Sequence, residues 1–292
     1  MQKPSTTRED RYQHHDYYGV DDLLSSEHLL ARDAVRQWVK AEVSPIIEDY
    51  SNRAECPTHL FKGLAEIGAF GPSLPAEYGC GGMDEIAYGV IMQELERGDS
   101  GVRSMASVQG SLVMYPIYKF GSEEQRRHYL PKLAKGEFIG CFGLTEPDAG
   151  SNPSGMLTNV KDDGDSYILN GSKMWITNSP LADIAVVWAK NEEGKIIGII
   201  VEKGMKGFSA PEIHGKWSLR ASITGELVFE DVRVPKKNVL PGVQGLKGPL
   251  TCLTKARYGI AWGAIGAALD CYDSALRYSK ERIQFGRPIG GF

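Results

Sequence analysis

The stretch from Phe142 to Ser151 reads F-G-L-T-E-P-D-A-G-S and lies where the residue pattern of the chain changes. Leu144 and Thr145 end a predicted strand, and Glu-Pro-Asp-Ala-Gly-Ser follows as a turn. A turn rich in backbone N–H groups, with a hydroxyl beside them, can hold a pyrophosphate or the edge of a cofactor ring. The same residues also suit an ordinary strand and turn, because proline and glycine are common in such connections. From this stretch alone, both interpretations stay open.

Upstream of this stretch the pattern is helical. From about Leu23 to Lys135, apolar residues recur at helical spacing, with glycines and prolines between the runs. Ser122-Glu123-Glu124-Gln125 fits a capping box, which predicts a helix start at this point. We therefore expect an N-terminal helical bundle over residues 23–137, after a polar leader of residues 1–22.

Downstream, short β-prone runs separated by turn residues predict a β-barrel or sandwich module over residues 138–245. Asn170-Gly171 separates two of these runs, and because this dipeptide favours a type I′ turn, a hairpin is predicted there. Two further runs flank N-E-E-G at 191–194, and another ends at Pro235.

After the β module the pattern returns to helix, which predicts the start of a C-terminal helical domain over residues 246–292. The expected fold is therefore α+β and multidomain. A long amphipathic helix with nothing after it to pack against leaves apolar surface in water, so we expect the chain to be part of a longer protein. The predicted apolar stripe of this helix comprises Leu253, Ala256, Ile260, Ala264, Ile265, Ala268 and Cys271.

The composition argues against several classes of function. A net charge of −4 without basic runs gives no electrostatic footprint for nucleic acid. No apolar run approaches the ~18 residues of a membrane span. The five cysteines and six histidines lack the spacing of a metal site. The N-terminus has no apolar segment of a secretion signal, so we expect a cytoplasmic protein, or a mitochondrial matrix protein if the source is eukaryotic.

Three motifs occur in order along the chain and together resemble the acyl-CoA dehydrogenase family. They are F-G-L-T-E-P-D-A-G-S at 142–151, N-G-S-K-M-W-I-T-N-S at 170–179 and R-I-Q-F-G-R-P at 282–288. The resemblance extends from about Leu24 to Phe292. It implies a helical bundle, a β domain and the start of a second bundle, with FAD as cofactor, an acyl-CoA substrate and an electron-transferring flavoprotein as electron acceptor.

By that resemblance, the first two motifs line the flavin, and Trp175 shields one face of its ring. On local sequence Trp175 would also suit a buried core. Arg282 matches the family arginine that reaches the FAD of a neighbouring subunit, which implies a homo-oligomer, expected to be a tetramer. An exposed arginine at a helix end is the alternative. The resemblance assigns to the cofactor site Phe142, Gly143, Leu144, Thr145, Glu146, Pro147, Asp148, Ala149, Gly150, Ser151, Trp175, Ile176, Thr177, Arg282 and Phe285.

Within the family, the sequence most resembles the glutaryl-CoA dehydrogenases, on E-L-E-R-G-D-S-G-V-R-S-M-A-S-V-Q-G-S-L-V-M, S-L-R-A-S and A-R-Y-G-I-A-W-G. Arg103, in the first of these segments, stands beside an apolar run. Its planar guanidinium suits the terminal carboxylate of a dicarboxylic acyl chain. We therefore expect Arg103 to select glutaryl-CoA, supported by Ser104, Ser107 and Glu96. A surface arginine, or one paired with Glu96 or Asp99, is the alternative.

The resemblance also implies a contact with the CoA portion of the substrate. L-T-C-L-T-K-A-R at 250–257 matches the family segment that frames the active site, with Arg257 beside the reacting centre. Seen as a helix alone, it would be an N-terminal turn with two ordinary cations. Ser151 would serve both the flavin and the thioester. The substrate-contacting residues are expected to be Leu250, Thr251, Cys252, Leu253, Thr254, Lys255, Ala256 and Arg257.

The implied reaction converts glutaryl-CoA to crotonyl-CoA and carbon dioxide, and needs a base for the α-proton. Some relatives place a glutamate directly before the arginine that matches Arg257, where this chain has Ala256. We therefore assign no catalytic residue within residues 1–292 and expect the general-base glutamate beyond Phe292. The alternatives are a dehydrogenase of another acyl-CoA, including another dicarboxylyl-CoA, and a catalytically silent flavin- or acyl-CoA-binding module.

Overall fold

The computed structural model describes residues 15–292, which form helices, then a sheet, then a long helix. The predicted polar leader, residues 1–22, lies outside the described residues as far as residue 14. Its last part enters a short 3₁₀ turn at Val20–Leu23.

The N-terminal region is helical, as predicted. Two π-helical segments, Val39–Val43 and Val108–Met114, continue α1 and α5 without a break. Such segments are uncommon and often occur at functional sites. The helices are α1 (Ser26–Trp38), α2 (Ile47–Arg53), α3 (Leu60–Glu66), α4 (Glu85–Gly98), α5 (Ser100–Ser107), α6 (Tyr115–Phe120) and α7 (Glu123–Ala134).

Side chains cap several of these helices where the sequence indicates a start. The predicted capping box is present, because the Ser122 hydroxyl accepts the N–H of Gln125 and the Gln125 side chain accepts the N–H of Ser122. Asp84 caps α4. Asp99 ends α4 and accepts two N–H groups of α5, so one residue sets the angle between these helices.

Apolar residues at helical spacing hold the helices together. Along α1 and the π-helical segment that continues it, Val35, Val39 and Val43 are buried, whereas Leu30 on the opposite side is exposed. The helix packs on α4, where the guanidinium of Arg36 donates to the Glu94 carboxylate at 2.9 and 3.0 Å in a buried ion pair. A buried charge of this kind is tolerated because it is paired and hydrogen-bonded.

Within the described residues, seven strands form one mixed sheet after the helices. In space the order is β1-β4-β2-β3-β7-β6, and β5 pairs with the other side of β4. The first strand runs parallel to β4, whereas β3 and β7 pair antiparallel along most of their length. The strands are β1 (Gly140–Gly143), β2 (Asn159–Asp163), β3 (Ser166–Thr177), β4 (Ile184–Lys190), β5 (Ile196–Glu202), β6 (Phe208–Ser209) and β7 (Thr224–Pro235).

The hairpin predicted at Asn170-Gly171 is wrong. The third strand runs straight through this dipeptide, and the chain turns earlier, at Gly164, between β2 and β3. Gly171 instead marks a register shift against β7, and its φ is 137°. The conformational freedom of glycine is thus used for a bulge rather than for a turn.

The chain ends with α8 (Lys247–Glu281), followed by a small hairpin, β8 (Ile283–Gln284) and β9 (Arg287–Pro288). The buried face of α8 is made mostly of small residues, including Gly259, Gly263 and Gly266. Most of the predicted apolar stripe is exposed, including Ile260 and Ile265 at about half of their surface. The stripe is therefore real, but it is not the face that packs on the helical bundle.

Among residues 15–292, no helix combines the length and hydropathy that a membrane crossing requires. In the same part of the chain, no group of His, Cys, Asp and Glu side chains has the arrangement of a metal site.

Candidate active site

A cleft of about 380 Å³ opens where the sheet meets two helical segments. The ends of β1 and β3 form one side, and the π-helical segment and the first turns of α8 form the other. Its lining residues are Val108, Leu112, Phe142, Leu144, Thr145, Gly150, Ser151, Pro153, Trp175, Ile176, Thr177, Leu250, Leu253 and Arg257.

The stretch from Phe142 to Ser151 divides between this cleft and its surroundings. Phe142, Leu144, Thr145, Gly150 and Ser151 line the cleft. Gly143 and Ala149 are buried, and a Cβ at position 143 would lie 2.8 Å from the Leu227 side chain. Glu146, Pro147 and Asp148 border a second cleft, of about 290 Å³.

Glu146 is turned away from the main cleft and is almost fully buried. Its carboxylate accepts the N–H groups of Leu157 at 2.6 Å and Thr158 at 3.0 Å, and the ammonium of Lys173 at 2.8 Å. Burial opposes ionisation of Glu146, but these donors outweigh it and hold the pKa of the carboxyl below its usual range. Glu146 is therefore a structural ion-pair partner in this arrangement and not a free base.

Trp175 is not a core residue, because 56% of its surface is exposed on the wall of the cleft. Its φ is 62°, a left-handed conformation that a bulky side chain rarely adopts. The residue lies in a second register shift of β3 against β7, between Lys173 and Ile176. Strain of this kind concentrates at functional sites. The bulge turns a large aromatic ring out of the sheet and toward the cleft.

The segment 250–257 contributes one helical face rather than all of its residues. Leu250, Leu253 and Arg257 line the cleft, at the i, i+3, i+7 spacing of one side of a helix. Cys252 and Ala256 are buried on the opposite side, and the hydroxyls of Thr251 and Thr254 donate to carbonyls one turn earlier. Of the eight residues expected to contact the substrate in this segment, three therefore line the cleft of the single chain and five do not.

Lys255 likewise points away from the cleft. Its ammonium donates to the Ser73 hydroxyl at 2.8 Å and to the carboxylate of Glu85. It also lies 5.0 Å from the centre of the Tyr88 ring. The lysine therefore joins α8 to α4 and to the loop before it.

The residues predicted to select the substrate, Arg103, Ser104, Ser107 and Glu96, lie outside the lining of the cleft. The side chain of Arg103 is mostly buried, and its guanidinium pairs with the carboxylate of Glu96. The same carboxylate accepts a hydrogen bond from the Ser100 hydroxyl. The Ser104 hydroxyl donates to the Ser100 carbonyl at 2.8 Å, and Ser107 is buried. The structure thus brings Arg103 and Glu96 together, as the alternative of an internal pair anticipated. The same helix continues directly into Val108, which does line the cleft.

The third motif lies apart from the cleft. Arg282 follows the last residue of α8 and is exposed, and Phe285 is 92% exposed with a φ of 49°. Neither residue lines the cleft in a single chain.

Several residues in or near the site were not predicted from the sequence. Pro153 lines the cleft, and Tyr88 donates or accepts a buried hydrogen bond with Ser111 at 2.7 Å behind the wall. Lys173 was not predicted as a site residue either, although it stands four positions after Leu169 on the buried face of a strand. A lysine at such a position needs a partner, and this signal could have revealed it.

Models of the three acyl-CoA dehydrogenase domains match in order: the N-terminal domain at 25–137, the middle domain at 141–232 and the C-terminal domain at 243–292. A short-chain specific acyl-CoA dehydrogenase of Clostridium acetobutylicum is 39% identical over 281 residues, covering 94% of this chain and 73% of that protein. The chain belongs to the acyl-CoA dehydrogenase family. The resemblance drawn from the three motifs is therefore confirmed, as is the succession of helical, β and helical regions.

Other acyl-CoA dehydrogenases are similar to a comparable degree. The glutaryl-CoA dehydrogenase of Desulfococcus multivorans is 36% identical over 283 residues, covering 94% of this chain and 72% of that protein. The crystal structure of a glutaryl-CoA dehydrogenase from Mycobacterium smegmatis in complex with FADH2 superposes with a TM-score of 0.92. That enzyme is 47% identical, and the match covers 94% of this chain and 71% of that one.

Proposed function

We propose that the protein is an FAD-dependent dehydrogenase that oxidises glutaryl-CoA to crotonyl-CoA and carbon dioxide and passes the electrons to an electron-transferring flavoprotein. The observation that carries the proposal is the cleft itself. It joins the motif residues Thr145 and Ser151, an outward-facing Trp175, and the cation of Arg257 on one concave surface. Small-molecule sites are usually concave and largely apolar, with a few placed polar groups.

The cleft has the features that a flavin would require. Trp175 offers an aromatic face at its wall, while the side chains of Thr145, Ser151 and Thr177 supply hydroxyls for a polar ring edge. The apolar side chains of Leu144 and Ile176 would pack beside them. FAD, when bound, supplies the acceptor for the hydride that leaves the β-carbon of the acyl chain.

The chain's own residues would bind and orient the acyl-CoA thioester. Arg257 would place a positive charge beside the reacting thioester, and Ser151 would serve the thioester end. Leu112, Leu250 and Leu253 would exclude water from the acyl chain, which strengthens polar interactions with the carbonyl. Polarisation of that carbonyl stabilises the enolate and so assists removal of the α-proton.

The base is proposed to be a carboxylate outside residues 1–292. Among the described residues that line the cleft there is no Asp or Glu. Glu146 is engaged with Lys173 and two backbone N–H groups, and Glu96 is engaged with Arg103. Neither is placed to accept a proton from a substrate in the cleft.

The choice of glutaryl-CoA rests on Arg103. Its guanidinium is mostly buried. Arg103 lies on α5, which continues into the π-helical segment whose Val108 and Leu112 line the cleft. Binding of a terminal carboxylate would require the arginine to share its donors between Glu96 and the substrate, which a guanidinium with five N–H groups can do.

A second candidate is dehydrogenation of a monocarboxylic acyl-CoA. It is favoured by the pairing of Arg103 with Glu96, because the charge of the arginine is already balanced within the chain. Oxidation of another dicarboxylyl-CoA and silent binding of flavin or acyl-CoA are further alternatives. We also propose the domain division 1–22, 23–137, 138–245 and 246–292, a homotetramer in which Arg282 reaches a neighbouring FAD, and a cytoplasmic or matrix location.

Binding of two acyl-CoA thioesters by the R103Q variant tests the substrate. Glutaryl-CoA and butyryl-CoA differ in the terminal carboxylate, so calorimetric titration of each separates recognition of this group from recognition of CoA. Loss of a charged hydrogen-bonding group should raise the Kd for glutaryl-CoA by roughly 30- to 100-fold, equivalent to about 2–3 kcal/mol. The Kd for butyryl-CoA should not change.

The R53Q variant serves as the control, because Arg53 is an exposed arginine paired with Glu55. An unchanged affinity of R103Q for glutaryl-CoA would overturn the dicarboxylate proposal and favour a monocarboxylic substrate. Release of crotonyl-CoA from glutaryl-CoA by the protein isolated from its source, with a dye as electron acceptor, tests the reaction itself.

A further inference from the structure

A buried ion pair lies behind the cleft, at the point where its two sheet-side walls meet. One wall is the loop after β1, which carries Thr145, and the other is the bulge of β3, which carries Trp175. Lys173 comes two residues before Trp175, and Glu146 directly follows Thr145. The side chains of these two neighbours meet at 2.8 Å.

The contacts of the pair connect separate segments of the chain. The ammonium of Lys173 donates to the Leu144 carbonyl at 3.2 Å as well as to Glu146. Glu146 in turn accepts the N–H groups of Leu157 and Thr158, directly before β2. Three segments, namely the loop after β1, the residues before β2 and the end of β3, therefore converge on one buried pair.

A backbone contact extends this arrangement to the cleft itself. The N–H of Met174 donates to the Thr145 carbonyl at 2.9 Å, so the residue before Trp175 is tied to the loop after β1. Met174 directly follows Lys173, and Thr145 directly precedes Glu146. The hydrogen bond and the ion pair therefore join neighbouring residues of the same two segments. Movement of Lys173 or Glu146 would therefore displace the backbone that sets the separation of the two walls.

Retention of charge at this position has a cost that a purely apolar contact would avoid. Lys173 is fully buried, and burial lowers the pKa of its ammonium to about 8, although Glu146 opposes that shift. Replacement of buried ion pairs by apolar residues is often neutral or stabilising. A directional, multi-donor contact offers what an apolar contact lacks, namely a fixed geometry for the carbonyl and the N–H groups around it.

We propose that Lys173 and Glu146 are positioning residues for the cofactor-binding wall: their ion pair fixes the loop of Thr145 and the strained bulge of Trp175 relative to each other. The inference rests on the proposed FAD site. Residues that orient the ligands of a metal ion commonly change metal affinity about tenfold or more when replaced, and we expect an effect of the same order for residues that orient a cofactor-binding wall. Neither Lys173 nor Glu146 lines the cleft, so both act through the backbone they hold.

Two single variants and their combination separate the pair from its members. K173M removes the charge while keeping a long side chain, and E146Q removes the other charge while keeping the size of the side chain. Each variant should raise the Kd for FAD by roughly tenfold or more. The double variant should be no worse than the poorer single variant, because the interaction is already lost in each.

The control is R36M, which breaks the buried pair of Arg36 with Glu94 in the helical region. Both ion pairs are buried, so all three single variants, K173M, E146Q and R36M, should lower resistance to denaturant. Amide hydrogen exchange without cofactor should accelerate at 144–158 and 174–178 in K173M and E146Q, but not in R36M. The visible absorption spectrum of bound FAD should shift in the first two variants and stay unchanged in the third.

The pH dependence supplies an independent readout. Glu146 is the charged side chain that contacts Lys173 among the described residues. Because the ammonium loses its proton at about pH 8, the wild-type FAD spectrum should change as pH rises through that value. The spectrum of K173M should show no change there.

The outcomes distinguish the inference from the proposed function. Wild-type protein that binds no FAD overturns the cofactor proposal and, with it, the positioning role. Wild-type protein that binds FAD, together with K173M and E146Q variants of unchanged affinity, spectrum and exchange, overturns the positioning role alone. If R36M changed the affinity for FAD and its spectrum as much as K173M and E146Q do, the Lys173–Glu146 pair would contribute only to general stability. That result would also contradict the proposal.

Discussion

Gly171 occupies a place in β3 that no larger residue fits without strain. Its φ of 137° lies in a region that L side chains rarely adopt, and an added Cβ would lie 2.5 Å from the Thr158 hydroxyl oxygen. Its neighbour Asn170 exchanges hydrogen bonds with Asp231, which has a φ of 49° on the facing strand. The bulge is therefore shaped from both strands, and it lies on the strand that leads to the cleft.

Substitution G171A should lower the free energy of unfolding by about 3 kcal/mol, because backbone strain and a steric clash act together. Denaturant unfolding measures the loss. G164A is the matched control, since Gly164 also has a positive φ, of 70°, but has nothing within 4 Å of an added Cβ. The control should lose about 1 kcal/mol. Equal losses for the two variants would contradict a role for close packing at position 171.

Sequence alone could not place this bulge. Asn-Gly is the dipeptide of tight hairpin turns, and local propensity carries no information about the Thr158 backbone beside it. The same limit applies to Arg103, whose pairing with Glu96 depends on the way α4 and α5 are set by Asp99. Trp175 lies on the wall of the cleft, but the left-handed backbone that turns its ring outward has no signal in a single sequence.

At the scale of elements, α8 shows how a long helix approaches a neighbour at backbone distance. A Cβ at Gly266 would lie 2.0 Å from the Gln93 carbonyl oxygen, and one at Gly259 would lie 2.3 Å from the Tyr88 hydroxyl. The helices α4 and α8 therefore touch through glycines. Apolar periodicity predicted the helix, but it did not identify the glycine face that packs on α4, because glycine contributes little to hydropathy.

Substitution G266A should destabilise the protein by about 2–3 kcal/mol, because the added methyl group meets a backbone carbonyl that cannot move without separating the helices. Thermal or denaturant unfolding provides the measurement. A264G, on the exposed side of the same helix, controls for helix propensity and should cost about 1 kcal/mol. A stabilised G266A protein would show that the two helices are not in close contact.

At the scale of the molecule, Gln109 links the helical region to the sheet. Its side-chain amide donates to the carbonyls of Leu133 and Phe138 at 3.0 and 2.7 Å, and its oxygen accepts the N–H of Gly140 at 2.8 Å. It is fully buried in the π-helical segment that lines the cleft. One side chain thus joins that segment, the end of α7 and the first strand.

Substitution Q109L should lower the free energy of unfolding by about 3 kcal/mol, since an apolar side chain leaves buried backbone groups without partners. Q284L is the control, because Gln284 is exposed in the C-terminal hairpin, and its stability should change by less than about 0.5 kcal/mol. Differential scanning calorimetry compares the two. A Q109L protein as stable as wild type would mean that water or rearrangement replaces the lost hydrogen bonds.

The general plan of the molecule followed from the sequence, because changes of periodicity near residues 138 and 246 reflect real changes from helix to strand and back. The first two motifs also met at one cleft, as their resemblance implied. What could not be predicted is the pairing of distant polar groups, such as Gln109 with Gly140 or Lys173 with Glu146. Those contacts form only when segments that are distant in sequence pack together, and local sequence patterns carry no information about that packing.

The left-handed backbone conformation of Trp175 lowers the stability of the fold, but it also turns the aromatic ring toward the cleft. A bulky residue at a φ of 62° costs about 1–2 kcal/mol relative to glycine, which adopts that conformation freely. Its ring is largely exposed, so the fold recovers little by burying it. A laboratory selection for thermal resistance alone would therefore tend to replace the tryptophan with glycine and would enrich proteins that outlast the parent but have lost the aromatic wall. Sequences that retain tryptophan under heat selection would be those in which the cleft is itself under selection.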